Sequence, residues 1–185
     1  MLAITNGKIY TMAGKVLDGG VILIKDGKIE EVGQEIQIPQ DAKVIDANGK
    51  YVFPGFIDAH SHVGIFEEAV GEIGEEGNEW TEPVTPHLRA IDAINPGDKA
   101  FEDAVAGGIT CVFTGPGSAN VIGGQSIVMK TYGKIIDDMV VKAPAGLKVA
   151  FGENPKRVYG EQKKMPATRM ATAALLREAL TNAQN

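Results

Sequence analysis

The sequence predicts an α/β protein in two parts, a small β-rich unit over residues 1–53 and, from residue 54, strands and helices alternating around a parallel sheet. Three observations carry this. Asn-Gly and Asp-Gly pairs separate short apolar runs in the first part. A continuous apolar segment at Phe56-Ile57 opens a strand–loop–helix–strand succession that ends at Thr114. The composition, 44% hydrophobic and 23% charged over 185 residues, is that of an ordinary globular chain able to bury a core.

In the front unit, Asn6-Gly7 lies between Leu2-Ala3-Ile4 and Ile9-Tyr10-Thr11, and Asp26-Gly27 lies between Val21-Ile22-Leu23-Ile24 and Ile29-Glu30-Glu31-Val32. Both pairs predict hairpins, because a type I′ turn needs positive φ at its two central positions and Asn-Gly or Asp-Gly supplies it cheaply. Asn48-Gly49 predicts a third turn before Tyr51-Val52-Phe53. The expected result is a mostly antiparallel sheet, small enough to need a partner element for burial.

From Pro54 the pattern changes. Phe56-Ile57 reads as a strand covered by helices on both faces. Residues 64–86, rich in Gly, Glu, Asn, Thr and Pro, read as a long excursion above the strand end, the kind of loop that carries function. Asn95-Pro96-Gly97-Asp98 starts a helix that runs to Ala106 and stops at Gly107-Gly108. Ile109–Thr114 is the next strand, completing a βαβ unit with right-handed crossover. A glycine-rich loop extends from Gly115 through Gly123-Gly124, then short strands come at Ser126–Met129, Met139–Val141 and Leu147–Phe151. The tail from Pro166 places Met170, Ala173, Ala174, Leu176 and Leu180 at helical spacing, with Thr168 as cap.

The net charge of −6 argues against a nucleic-acid surface. Cys111 is the one cysteine, so there is no intramolecular disulfide, and its apolar neighbours predict a packed core thiol. No basic-then-apolar leader opens the chain and no apolar run reaches the ~20 residues a membrane span needs. The expectation is a cytoplasmic protein without nucleic-acid or membrane partners.

The chemistry concentrates in Pro54-Gly55-Phe56-Ile57-Asp58-Ala59-His60-Ser61-His62. Side chains at i and i+2 of a strand point to the same side, so His60 and His62 can converge as metal ligands. Asp58 shares that side and can orient an imidazole or a bound water. Ser61 points the other way and forms no triad. His87 is either a substrate contact or third ligand, or simply a loop histidine. Asn154, Lys156 and Arg157 come after a strand and are candidate substrate contacts, Arg157 being suited to a carboxylate, with exposed loop charge as the alternative. Thr114–Asn120 lacks the Gly-Lys-Ser/Thr ending of a P-loop and reads as a pocket-lining loop. Glu67, Glu68, Glu72, Glu75, Glu76 and Glu79 read as a solvated face.

Gly55-Phe56-Ile57-Asp58-Ala59-His60-Ser61-His62, preceded by the turn-and-strand run Asn48–Phe53, resembles the first-strand motif of the amidohydrolase superfamily, and within it the imidazolonepropionase-related group. The resemblance implies a (β/α)₈ barrel beside a small β-sandwich. His60 and His62 would then hold one or two divalent metals, often zinc, and Asp58 would be their same-strand neighbour. The implied reaction is attack of a metal-activated water on an amide or cyclic amide carbonyl. A full barrel takes about 250 residues, so the stretch from residue 54 to residue 185 holds three or four barrel strands rather than eight. No histidine comes after His87 to match the later family ligands. The expectation is therefore the N-terminal portion of a metal-dependent amidohydrolase, a partial TIM-type barrel over 54–185 behind a sandwich-like unit over 1–53, inactive by itself and forming homo-oligomers. The alternative is a non-catalytic assembly module that self-associates through uncovered barrel edges.

Overall fold

The computed structural model describes residues 1–185, which divide by contact density into Met1–Gly55 and Phe56–Asn185. The first unit is one sheet of five strands: β1 (Leu2–Tyr10), β2 (Val16–Lys25), β3 (Lys28–Gly33), β4 (Lys43–Asp46) and β5 (Tyr51–Val52). β1 is central, antiparallel to β2 on one side and parallel to β4 and then β5 on the other. The sheet is therefore mixed rather than mostly antiparallel. Ala3, Ile9, Val21, Ile22 and Leu23 are its buried apolar side chains, and Thr5 is buried with them.

Asp26-Gly27 makes the expected two-residue hairpin, with φ of 50° and 74° and Lys25 paired to Lys28. Asn6-Gly7 does not. Asn6 takes a positive φ of 56°, but β1 continues through it with a shift of register against β2. The reason lies on the other side of β1. There the Asn48-Gly49 turn interrupts β4 and β5 at the same level, and the Gly49 amide donates to the Asn6 carbonyl at 2.8 Å. The two Asn-Gly pairs are matched irregularities in adjacent strands, a bulge facing a turn.

The second unit carries a four-stranded sheet of β6 (Phe56–Ser61), β7 (Ile109–Thr114), β8 (Ile122–Lys130) and β9 (Val140–Val149) in that spatial order. β6 and β7 are parallel, joined through helix α1 (Lys99–Ala106), as the βαβ reading expects. β7–β8 and β8–β9 are antiparallel, so the parallel succession expected of a barrel stops after one pair. The connections decide this: residues 115–121 and 131–139 are shorter than the dozen or more residues a parallel crossover needs. Met139–Val141 and Leu147–Phe151, expected as separate strands, belong to the single strand β9 and the residues flanking it. A one-turn helix, α2 (Ile136–Met139), leads into β9.

Ile65, Ala90, Ile94, Phe101, Val112, Ile127, Met129 and Met139 form the core of this unit, between the sheet and α1. Cys111 is buried as expected. β6 departs from expectation. It is the end strand of its sheet, with Phe56 54% and Ile57 69% exposed, so it is not covered on both faces. Helix α3 (Glu153–Glu161) stands where a loop was expected, and α4 (Arg169–Gln184) starts on Thr168, whose hydroxyl accepts from the Ala171 amide at 3.1 Å. Met170 and Leu180 are exposed on α4. No helix is long and apolar enough to cross a membrane.

Candidate functional site

The end of β6 brings His60 and His62 together, with ring centroids 5.7 Å apart and planes nearly perpendicular at 78°. His60 is exposed and His62 half-buried, its ring in T-shaped contact with that of Phe66 at 5.2 Å between centroids. Nδ1 of His62 lies 2.7 Å from the Gly115 carbonyl oxygen. A carbonyl only accepts, so Nδ1 carries the proton and Nε2 of the neutral ring keeps its lone pair. Gly115 reaches this position because it has no side chain: a Cβ there would meet Ser126 Oγ at 2.0 Å.

The chain around His62 is held at several points. Ile65 and Phe66 donate their amides to the His62 carbonyl at 3.0 and 3.1 Å, closing a turn. The buried Thr114 hydroxyl donates to the Val63 carbonyl at 2.9 Å. Asp58 faces the backbone rather than a ring, its Oδ1 accepting from the His60 amide at 3.0 Å.

The other candidates stand apart. His87 is exposed in a turn, and no group of three or more His, Cys, Asp or Glu side chains gathers closely enough to hold a metal. Asn154 opens α3 and donates from Nδ2 to Ser118 Oγ at 2.6 Å, tying α3 to the glycine-rich loop. Lys156 is half-buried and Arg157 exposed on the same helix. A cavity of about 270 Å³ is lined by Asn78, Arg89, Asp92 and Gly123 among others, and neither His60 nor His62 borders it. Arg89 there is engaged by Asp92 through two contacts of 2.7 and 2.8 Å, which hold the Asp92 carboxyl below the usual carboxylate range. The Thr81 hydroxyl and amide, at 2.6 and 3.1 Å, do the same for Glu79 within the acidic run.

Two residues escaped the sequence reading. Asp98 was legible as a helix start, but not as the buried acceptor of amides from Gly64 and Glu68 as well as Ala100. Tyr159, fully buried, has its hydroxyl within 3.0 Å of the Glu79 and Glu82 carbonyls and Asn120 Oδ1. Burial, with Glu79 and Glu82 nearby, pushes that phenol up to about 12. A tyrosine just after an expected loop gave no sign of this hydroxyl network.

Two family descriptions match overlapping stretches, the NagA composite domain over residues 1–52 and the amidohydrolase family over residues 43–106. The crystal structure of an amidohydrolase from Thermotoga maritima MSB8 superposes on 100% of this chain with a TM-score of 0.94 and 50% identity. The chain belongs to the amidohydrolase superfamily. Among curated members, amidohydrolase tasK of Hapsidospora irregularis is 32% identical over 89% of this chain, and a dihydroorotase of Anaeromyxobacter dehalogenans (strain 2CP-C) is 34% identical over 65%. The chain spans 48% of the Thermotoga protein's chain and 18% and 23% of these two relatives. An imidazolonepropionase is one relative among dihydroorotases and deaminases, so the superfamily is established here and the narrower group is not.

Proposed function

We propose that this chain contributes His60 and His62 to the divalent-metal site of an amidohydrolase that cleaves C–N bonds of small non-peptide or cyclic amides, zinc being the expected metal. The observation that carries the reading is the 2.7 Å contact between His62 Nδ1 and the Gly115 carbonyl. A metal-binding imidazole commonly donates its outer N–H to a carbonyl or carboxylate, which fixes the ring and leaves the other nitrogen as the ligand. The donor set fits a divalent metal in kind: two imidazoles, adjacent and on one strand end. It is short in number, since a catalytic zinc typically takes three protein ligands and water. The two histidines are this chain's share of the site.

A divalent metal supplies a Lewis acid there, activating water toward an amide carbonyl. The chain's own residues aim the ligands. Gly115 holds the tautomer of His62, the turn at His62–Phe66 fixes its main chain, and Asp58 steadies the backbone under His60. Hydrolysis by the 185 residues alone is not expected. The test is calorimetric titration of the chain with zinc, set beside His60→Ala and His62→Ala. Loss of binding in both variants supports the reading, and binding that survives both overturns it. Turnover of a hydantoin by the chain with zinc would overturn the expected inactivity.

A second reading, self-association through β6, is favoured by Ile57, 69% exposed on the end strand of its sheet. Sedimentation at increasing concentration separates it: a strictly monomeric species removes it.

A further inference from the structure

We propose that Asp98 is a positioning residue for His62, acting through the turn just after the histidine; the inference rests on the reading of His62 as a metal ligand. Asp98 is 3% exposed, and its carboxylate accepts three backbone amides. One comes from Ala100, at 3.1 Å, and caps α1 in the ordinary way. The others come from far back in the chain: Glu68 at 2.9 Å onto the same Oδ1, and Gly64 at 3.1 Å onto Oδ2. A helix cap needs only the first. The other two fasten the turn after His62 to the start of α1.

Gly64 is built for this contact. Its φ is +81°, and a Cβ there would lie 2.8 Å from Ile94 and 3.0 Å from the Phe101 ring. The backbone therefore passes between the core and Asp98 in the left-handed region that glycine favours, with its amide turned to the carboxylate. One residue earlier the Val63 carbonyl is held by Thr114, and the His62 carbonyl takes the amides of Ile65 and Phe66. With the main chain pinned at 62, 63 and 64, the His62 ring has little freedom in how it meets the Gly115 carbonyl. Phe101 of α1 packs against this turn, but Asp98 is what hydrogen-bonds it to the start of the helix, and releasing those bonds loosens the aim of the imidazole without touching the ring.

Asp98→Ser tests this. A serine hydroxyl still caps α1 but is too short to reach Gly64 and Glu68. Long-range proton–nitrogen NMR of the imidazoles reads the His62 tautomer in the metal-free chain, with His87 as internal control. Titration with Co²⁺, followed by its visible absorption, reads affinity. The wild type is expected to show His62 as the Nδ1–H tautomer alone. Asp98→Ser is expected to populate both tautomers and to bind Co²⁺ about 10-fold more weakly. A lowered melting temperature with His62 unchanged would reduce Asp98 to a stabilising role and overturn the proposal. Failure of both proteins to bind Co²⁺, with the tautomer still released in the variant, would instead overturn the metal reading and leave the positioning role standing. If Asp98→Ser does not fold, Asp98→Asn decides. It keeps the oxygen shared by Glu68 and Ala100 and loses the Gly64 acceptor, so an unchanged His62 there overturns the proposal.

Discussion

Replacing Tyr159 with phenylalanine removes a buried hydroxyl that has three polar neighbours. The hydroxyl lies 2.7 Å from Asn120 Oδ1, 2.8 Å from the Glu82 carbonyl and 3.0 Å from the Glu79 carbonyl, but it has one proton to donate. The loss is therefore one net hydrogen bond, about 1 kcal/mol, plus a similar amount for a buried acceptor left without its donor, about 2 kcal/mol together. Asn120 is 1% exposed and its Nδ2 is already committed to Thr85 at 3.0 Å, so water cannot readily replace the phenol. With a urea dependence of about 2 kcal/mol per molar, the midpoint should fall by about 1 M. Trp80, the one tryptophan, lies beside the segment that Tyr159 holds, and its fluorescence reports this unit. The same experiment has a pH arm. The phenol is pushed from 10.0 to about 12 in the folded chain, so between those values the unfolded state has released a proton that the folded state keeps. Stability is then intact below pH 10.0 and falls as pH rises toward 12, and Tyr159→Phe should lose that component. A midpoint unchanged by the substitution at neutral pH would refute the reasoning.

Gly115→Ala forces a Cβ to within 2.0 Å of Ser126 Oγ and should cost about 1–3 kcal/mol in urea unfolding, with partial rescue when combined with Ser126→Gly. The same substitution should weaken zinc binding measured by calorimetry, because any shift of residue 115 moves the carbonyl that meets His62. Ile57→Lys, at a side chain 69% exposed, should leave stability within about 0.5 kcal/mol while reducing any self-association seen in sedimentation. Thr168→Ala should cost about 1 kcal/mol in the stability of α4, read as lost helical circular dichroism, since the hydroxyl caps the Ala171 amide.

What the sequence made legible was what local chemistry decides alone. Asp26-Gly27 makes its turn because two positive φ values suffice for it. Asp98 and Thr168 cap their helices with their own side chains. His60 and His62 meet because strand geometry puts i and i+2 on one side. The misses were decided elsewhere in the chain. Asn6-Gly7 has the same turn chemistry as Asp26-Gly27, yet it became a bulge because Asn48-Gly49, 42 positions later, breaks the neighbouring strand at the same level. The antiparallel course of β8 and β9 was readable in principle from the short connections at 115–121 and 131–139, but strand-like composition there suggested more of the parallel pattern. The partners of the His62 site were the least legible, since a carbonyl acceptor has no letter of its own and Asp98 stood out only as part of a run that starts a helix.

The contact on His62 has a consequence for how this site tolerates mutation. Its acceptor is main chain, so no substitution at 115 can delete the oxygen; substitutions can only displace it. What the genetic code must preserve is therefore a vacancy, the space beside Ser126 in which a residue without a side chain fits. Variation at 126 toward a smaller residue would widen the alphabet allowed at 115, whereas variation at 115 alone carries the cost of displacing Ser126. The two positions should drift as a pair, and a histidine's tautomer would be inherited through the volume of a serine.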